Sequence, residues 1–231
     1  MLLRKKNSET KTILHFHDVM IRQHDFDTLA DNVWLNDTII EFHMEYLERI
    51  ACTSNAHILL LRPGIVQLIL HLQDPTYLAS ALPPHLDRYR YIFIPVNDSQ
   101  PQAGYSGSHW SLLVFCRPNL TFYYYDTLHG TNQHVARLTA GRMVPLLRLT
   151  RQTIFKPVPT PQQDNGADCG VYVIAITDNL VQRLMSTLGH QNVNLERLFY
   201  VTAGDLPPMR KVRKELRKRI EKLSKDAQKQ A

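Results

Sequence analysis

Apolar residues recur at three- and four-residue intervals from Asn36 to Arg49, where Ile39, Ile40, Met44 and Leu47 alternate with polar side chains and lead into Ile50. That spacing predicts an amphipathic helix, with Asn36 or Asp37 available to cap its start. A second helix is predicted over Pro63 to Leu72, with Pro63 in the first turn, where its missing N–H is harmless. Ala81-Leu82-Pro83-Pro84 then stops the helical region. Arg90 to Val96, His109 to Phe115, Thr121 to Tyr125 and Thr153 to Val158 are short β-branched or aromatic runs bounded by Pro, Asn, Asp and Gly, and they predict strands. Val171 to Leu184 starts β-branched but carries Leu180, Val181 and Leu184 at helical spacing, so it predicts a buried helix. Val212, Leu216, Ile220 and Leu223 predict a further amphipathic helix. Helices first, strands in the middle and helices again favour an α+β architecture over an alternating one.

Charge changes little in this picture. Residues 210–231 hold ten Lys or Arg against three Asp or Glu, a net of +7 in a chain whose formal charge is +6, so the remainder is close to neutral. The basic stretch reads as the solvated outer face of a helix packed on the domain over residues 205–231. No aromatic residues interleave with its charges, which argues against nucleic acid as a partner. The longest apolar runs, Ile58–Leu61 and Val171–Ile176, fall far short of the roughly 20 residues of a membrane-spanning helix. Met1-Leu2-Leu3-Arg4-Lys5-Lys6 lacks the apolar stretch of a secretory signal. Cys52, Cys116 and Cys169 are an odd number without a close pair, which favours a reducing compartment, cytoplasmic or nuclear, over a disulfide framework. The 231 residues contain no repeats or linkers, so a single domain over 1–231 is expected, with the polar residues 1–10 frayed.

The candidate chemistry starts from a hairpin. Cys116-Arg117-Pro118-Asn119 reads as a turn, and symmetry about Arg117 and Pro118 opposes Phe115 to Leu120, Leu113 to Phe122 and His109 to Asp126. Taken alone, this pair is more simply two polar residues at strand ends. The loop Gln162 to Gly170 changes the odds, because it delivers Cys169 to the start of the predicted helix Val171 to Leu184. The partial positive charge of a helix N-terminus and a protonated imidazole both favour the nucleophilic thiolate. His109 then serves as base and later as acid, Asp126 orients its ring, and Gln163 with the Cys169 backbone N–H forms an oxyanion hole. Cys52 and Cys116 lack such surroundings. His129 follows the strand pair rather than opposing it and ranks below His109. His15 and His17 are a weak metal signal, and neither a metal nor another cofactor is expected.

Asp126 after a tyrosine-rich strand, His109-Trp110 opening the previous one, and Gln163-x-Asn165-Gly166-x-Asp168-Cys169-Gly170 resemble the ubiquitin-like proteases, the Ulp or sentrin-specific cysteine peptidases. The resemblance implies a papain-like fold of the Ulp type, a central mixed or antiparallel sheet flanked by helices, with His109, Asp126, Gln163 and Cys169 catalytic in one domain over 1–231. Trp34-Leu35-Asn36-Asp37 followed by Ile39, Ile40 and Phe42 is similar to the family's substrate-binding entry to its first long helix. Asn97-Asp98 and the long loop before His109-Trp110, with Leu14-His15-Phe16-His17-Asp18 upstream, resemble the deneddylase branch, which removes the ubiquitin-like modifier Nedd. Trp34 and Trp110 are then expected to cover a tail ending Gly-Gly, Asp37 to pair with a basic tail residue, Asn97 to bond backbone near the site, and loop 98–108 to order on binding. The implied partners are Nedd and its conjugates such as cullins, handled by a monomer through a thioester. Alternatives are the same chemistry on SUMO or ubiquitin, and a non-catalytic modifier-binding module. Relatives with acetyltransferase chemistry usually carry Glu at the acid position, which Asp126 argues against.

Overall fold

A five-stranded sheet forms the centre of the computed structural model, which describes residues 11–52, 57–72, 78, 80–100, 104, 107–190 and 193–230. The expected fraying of residues 1–10 lies outside these. The strands are β3 (Ile58–Leu60), β4 (Tyr91–Asn97), β5 (Trp110–Cys116), β6 (Thr121–Tyr125) and β7 (Ile154–Pro157), in that spatial order. Pairing is antiparallel in the centre, β4 with β5 and β5 with β6, and parallel at the two outer pairs, so the sheet is mixed.

The central strands read as continuous apolar runs because both faces are covered. Phe93, Leu112, Val114, Tyr123 and Tyr125 face one core, shared with helices α2 (Asp37–Ile50), α5 (Cys169–Ser186) and α7 (Met209–Gln230). Ile92, Ile94, Leu113, Phe115, Phe122 and Tyr124 face the other, under α3 (Pro63–His71) and α4 (Gln133–Leu146). Asn36 caps α2 by accepting the Ile39 N–H at 3.3 Å, which leaves Asp37 as the first helical residue and exposed. On α7, Val212, Leu216 and Ile220 are buried and Leu223 is packed against the core. Full burial of each such side chain stabilises the docked helix by about 1.5–3 kcal/mol.

Three parts of the order differ from the sequence expectation. The described chain opens with a hairpin, β1 (Thr12–Phe16) and β2 (Val19–Arg22), turning at His17 with φ 51°. Leu14, Val19 and Ile21 point inward and the alternate residues outward, too short a pattern to stand out among polar neighbours. Helix α4 separates β6 from β7, and the apolar run Ile58–Leu61 supplies the parallel edge strand β3, so strands and helices are less segregated than predicted. Two short helices, α1 (Gln23–Asp27) and α6 (Leu195–Phe199), also lie among the described residues. Among the described residues no helix is long and apolar enough to cross a membrane.

Candidate active site

The hairpin turn differs from the symmetric one expected. Arg117–Asn119 forms one 3-10 turn and Leu120 takes the left-handed conformation at φ 52°. The register therefore pairs Phe115 with Phe122 and Leu113 with Tyr124, two residues from the predicted pairing. A two-residue displacement keeps every side chain on its face. His109, just before β5, accordingly still reaches Asp126, just after β6, across the diagonal, with Nε2 to Oδ1 at 2.8 Å.

Both residues are held from several sides. The backbone N–H groups of Ser108 and His109 donate to Asp98 Oδ1 at 2.7 and 2.9 Å, and the His109 carbonyl accepts from Asn97 and Asn132 at 3.2 and 2.9 Å. Asp126 accepts from His109 and the Leu128 N–H on Oδ1, and from Tyr124 Oη and the Asn132 N–H on Oδ2. Burial alone would raise the Asp126 carboxyl, but these four donors, His109 first, hold it down at about 2. Burial alone would likewise lower the His109 imidazole, but its bonds to Asp126 and Cys169 push it up to about 9. Both shifts favour an ionised acid beside a protonated imidazole in this corner.

Cys169 is the first residue of α5 and is buried, with Asp168 as the cap. Nε2 of His109 is taken by Asp126, which leaves Nδ1 for the thiol. Gly170 follows in a tight space: a Cβ there would lie 3.1 Å from Leu35 and 3.4 Å from Trp110, so a larger residue would push those side chains by a few tenths of an ångström. Gln163 is fixed by its neighbours, with Oε1 accepting from Thr127 Oγ1 at 2.7 Å and Nε2 donating to the Asn165 carbonyl at 2.7 Å. One of its two amide N–H bonds therefore remains for another acceptor. The Cys169 backbone N–H has no intrahelical acceptor, as at every helix start. Asn165 Oδ1 accepts the N–H groups of Ala167 and Asp168 and so sets the bend into the helix.

The expected rim residues divide in two. Trp34 is 53% exposed and its indole donates to the Gly166 carbonyl at 2.6 Å, across the loop that leads to Cys169. Trp110 is half-buried beside Gly170, and Asp37 is exposed at the start of α2. Asn97 is buried, and both ends of its amide are used inside the protein, Nδ2 on the His109 carbonyl and Oδ1 under the Ser99 N–H at 2.9 Å. Gly107, at φ +88°, is required there, since a Cβ would fall 2.0 Å from Asn97 Oδ1. Residues 101–103, 105 and 106 of the long loop lie outside the described residues, and so does the closure expected of it. His129 is exposed in a turn, its backbone N–H bonded to Gln162. Burial pushes the thiols of Cys52 and Cys116 up to about 11 and about 12.

Sequence reasoning missed Asp98, Tyr124 and Asn132 as supports of the histidine and its acid. Asp98 and Tyr124 each sit within two residues of an identified group, which is the signal that could have found them; Asn132, the residue before α4, has no such neighbour.

The order His109, Asp126, Gln163, Cys169 on this fold coincides with a family model. Residues 33–197 match the Ulp1 protease family, C-terminal catalytic domain. The chain belongs to the Ulp1 protease family. It is therefore a cysteine protease. Similar proteins include NEDD8-specific protease 1 of Arabidopsis thaliana, 31% identical over 94% of this chain and 95% of the relative. NEDD8-specific protease 1 of Schizosaccharomyces pombe is 36% identical over 77% of this chain, which spans 43% of that relative's length. Sentrin-specific protease 8 of Mus musculus is 32% identical over 82% of this chain and 87% of its own. Among solved structures, the C-terminal Ulp1 protease domain in complex with Smt3, the yeast ortholog of SUMO, has a TM-score of 0.65 at 24% identity, covering 94% of this chain and 89% of that one. The shared Ulp1-type fold is that of a central mixed sheet flanked by helices.

Proposed function

We propose that this Ulp1-family protease is a deneddylase, a thiol hydrolase that cleaves after the C-terminal Gly-Gly of NEDD8 and so frees it from conjugates such as cullins and from its precursor. The observation that carries the chemistry is the buried His109–Asp126 pair, 2.8 Å from Nε2 to Oδ1, beside a thiol at a helix N-terminus. The modifier comes from the relatives, which include NEDD8-specific proteases matched over most of this chain.

In this reading the Cys169 thiolate attacks the carbonyl carbon of the terminal glycine. The oxyanion is met by the Cys169 backbone N–H and by the uncommitted amide N–H of Gln163. His109 gives its proton to the leaving lysine amine, and the C–N bond breaks to leave a thioester. The neutral imidazole then takes a proton from water, whose oxygen attacks the thioester; the C–S bond breaks, the thiolate leaves, and the modifier's new carboxyl group gives its remaining proton to solvent. Asp126, kept ionised by its four donors, stabilises the imidazolium throughout. Trp34 and Trp110 bound a passage that admits residues without side chains, Asp37 meets a basic residue of the tail, and Asn97 serves by fixing His109 rather than by touching substrate.

The chain is read as one catalytic domain over residues 1–231 that includes the basic helix over 205–231, working as a monomer in the reducing cytoplasm or nucleus, where its three free thiols persist. Aminocoumarin conjugates at the C-termini of NEDD8, SUMO and ubiquitin test the substrate. A kcat/KM at least tenfold higher on NEDD8 is expected, and equal or SUMO-preferring activity would overturn the branch while leaving the chemistry.

A further inference from the structure

Among its described residues, helix α7 carries one fully buried basic side chain. Arg213 is 2% exposed, although it stands in the most basic stretch of the chain. Its guanidinium donates to five acceptors. Nε and Nη2 both reach Asp168 Oδ1, at 3.0 and 2.7 Å. Nη1 reaches the Thr28 and Ala30 carbonyls at 3.0 Å each, and Nη2 reaches those of Val33 and Ala167 at 2.8 and 3.2 Å. Residue type alone groups Arg213 with the basic outer face, but its place three residues before Leu216 and seven before Ile220 sets it on the flank of the apolar stripe, and a lone surface arginine has no use for five fixed acceptors.

The acceptors belong to two segments that meet around the site. Thr28 to Val33 lead directly into Trp34, and Ala167-Asp168 lead directly into Cys169. Asp168 Oδ2 is in turn held by Asn165 at 2.9 Å, and the same Asn165 carbonyl receives the Gln163 amide. We infer that Arg213 is a positioning residue for the cleavage reaction, a clasp that holds the Trp34 segment and the Gln163–Cys169 loop in the one relative placement in which thiol, imidazole and oxyanion donors line up.

The inference rests on the reading of Cys169 as nucleophile and Trp34 as rim. It gives the basic helix a catalytic consequence, because α7 docks through its apolar stripe and thereby delivers a planar fork to the far side of the site. Reaction rates respond steeply to misplacement of this kind, about a hundredfold for an ångström. Lysine cannot substitute, since three donors on a single nitrogen cannot span acceptors that a rigid five-donor fork reaches.

The test compares Arg213→Lys with Arg219→Gln in the full chain. Arg219 lies on the same helix, over the Tyr46 ring at 4.2 Å and against His43, away from the Cys169 loop. With the NEDD8 aminocoumarin substrate, R213K should lower kcat at least tenfold per folded molecule while KM moves less than threefold. Iodoacetamide labelling of Cys169 at pH 7, followed by mass spectrometry, should slow at least fivefold in the same variant. R219Q should keep kcat within twofold at any loss of thermal stability. If R213K does not fold, Asp168→Asn, which removes the charged acceptor and leaves the carbonyl clasp, should lower kcat at least threefold. A kcat within twofold of the parent in the folded variant, or an equal loss in R219Q, would overturn the inference. Full turnover by Cys169→Ala would instead overturn the reading of the site on which it stands.

Discussion

Two buried histidines each face an aspartate, and the contrast between them defines the site. His109 Nε2 bonds Asp126 at 2.8 Å, and its second nitrogen is left for a thiol. His43, fully buried in α2, brings Nε2 to 3.0 Å from Asp178 but off the angle of a hydrogen bond, and its Nδ1 faces Arg219 at 3.3 Å. An arginine only donates, so Nδ1 of His43 must accept and its ring has no lone pair to offer a nucleophile. The two acids differ as well. Asp126 is buried and takes four donors, whereas the Asp178 side chain is 43% exposed. A histidine–aspartate contact is therefore common structural currency, and what makes one of them chemical is the group on the other ring nitrogen and the saturation of the acid.

The predictions follow from breaking one pair and sparing the other. Cys169→Ala should abolish turnover, by more than about a thousandfold, while modifier binding measured by calorimetry persists. Asp126→Asn should lower kcat by roughly a hundred- to ten-thousandfold, because an amide can support the wrong tautomer and cannot stabilise imidazolium. His43→Gln, by contrast, should cost about 1–3 kcal/mol of stability in denaturant titration, as for a buried polar group losing its partners, with kcat per folded molecule unchanged within twofold.

The pH profile sharpens the comparison further. The folded His109 imidazole titrates near 9 against 6.5 unperturbed, so its charge stabilises the fold fully below pH 6.5, and that contribution is lost as pH rises through about 9. The high-pH limb of kcat/KM should fall in the same place, and His43→Gln should leave it there. The smallest expected effect is that of Tyr124→Phe, which removes one of four donors to Asp126 and should lower kcat about three- to tenfold, read from initial rates.

How much of this was legible in the sequence follows the range of the interactions. Cys169 at a helix start was readable because polar loop and apolar helix adjoin in sequence, and His109 near Asp126 because a hairpin brings them close. The register differs from the expected one because nothing in Arg117-Pro118-Asn119 announces a 3-10 turn followed by a left-handed Leu120. The choice of face survived because the error was an even number of residues. Groups brought in from far along the chain left no local mark. Arg213 reaches Asp168 from 45 residues away and the Thr28 carbonyl from 185, and it stands between exposed lysines, Lys211 and Lys214, of the same basic stretch. The hairpin β1–β2 is hidden by its length and by the polar residues, His15 among them, on its outer positions.

The most direct test of the central claim is to react the protein with NEDD8 carrying a C-terminal electrophile and to locate the adduct by mass spectrometry. The account predicts a single adduct on Cys169, formed with NEDD8 in preference to SUMO or ubiquitin and suppressed in Asp126→Asn. An adduct on Cys52 or Cys116, or no adduct with NEDD8, would contradict it.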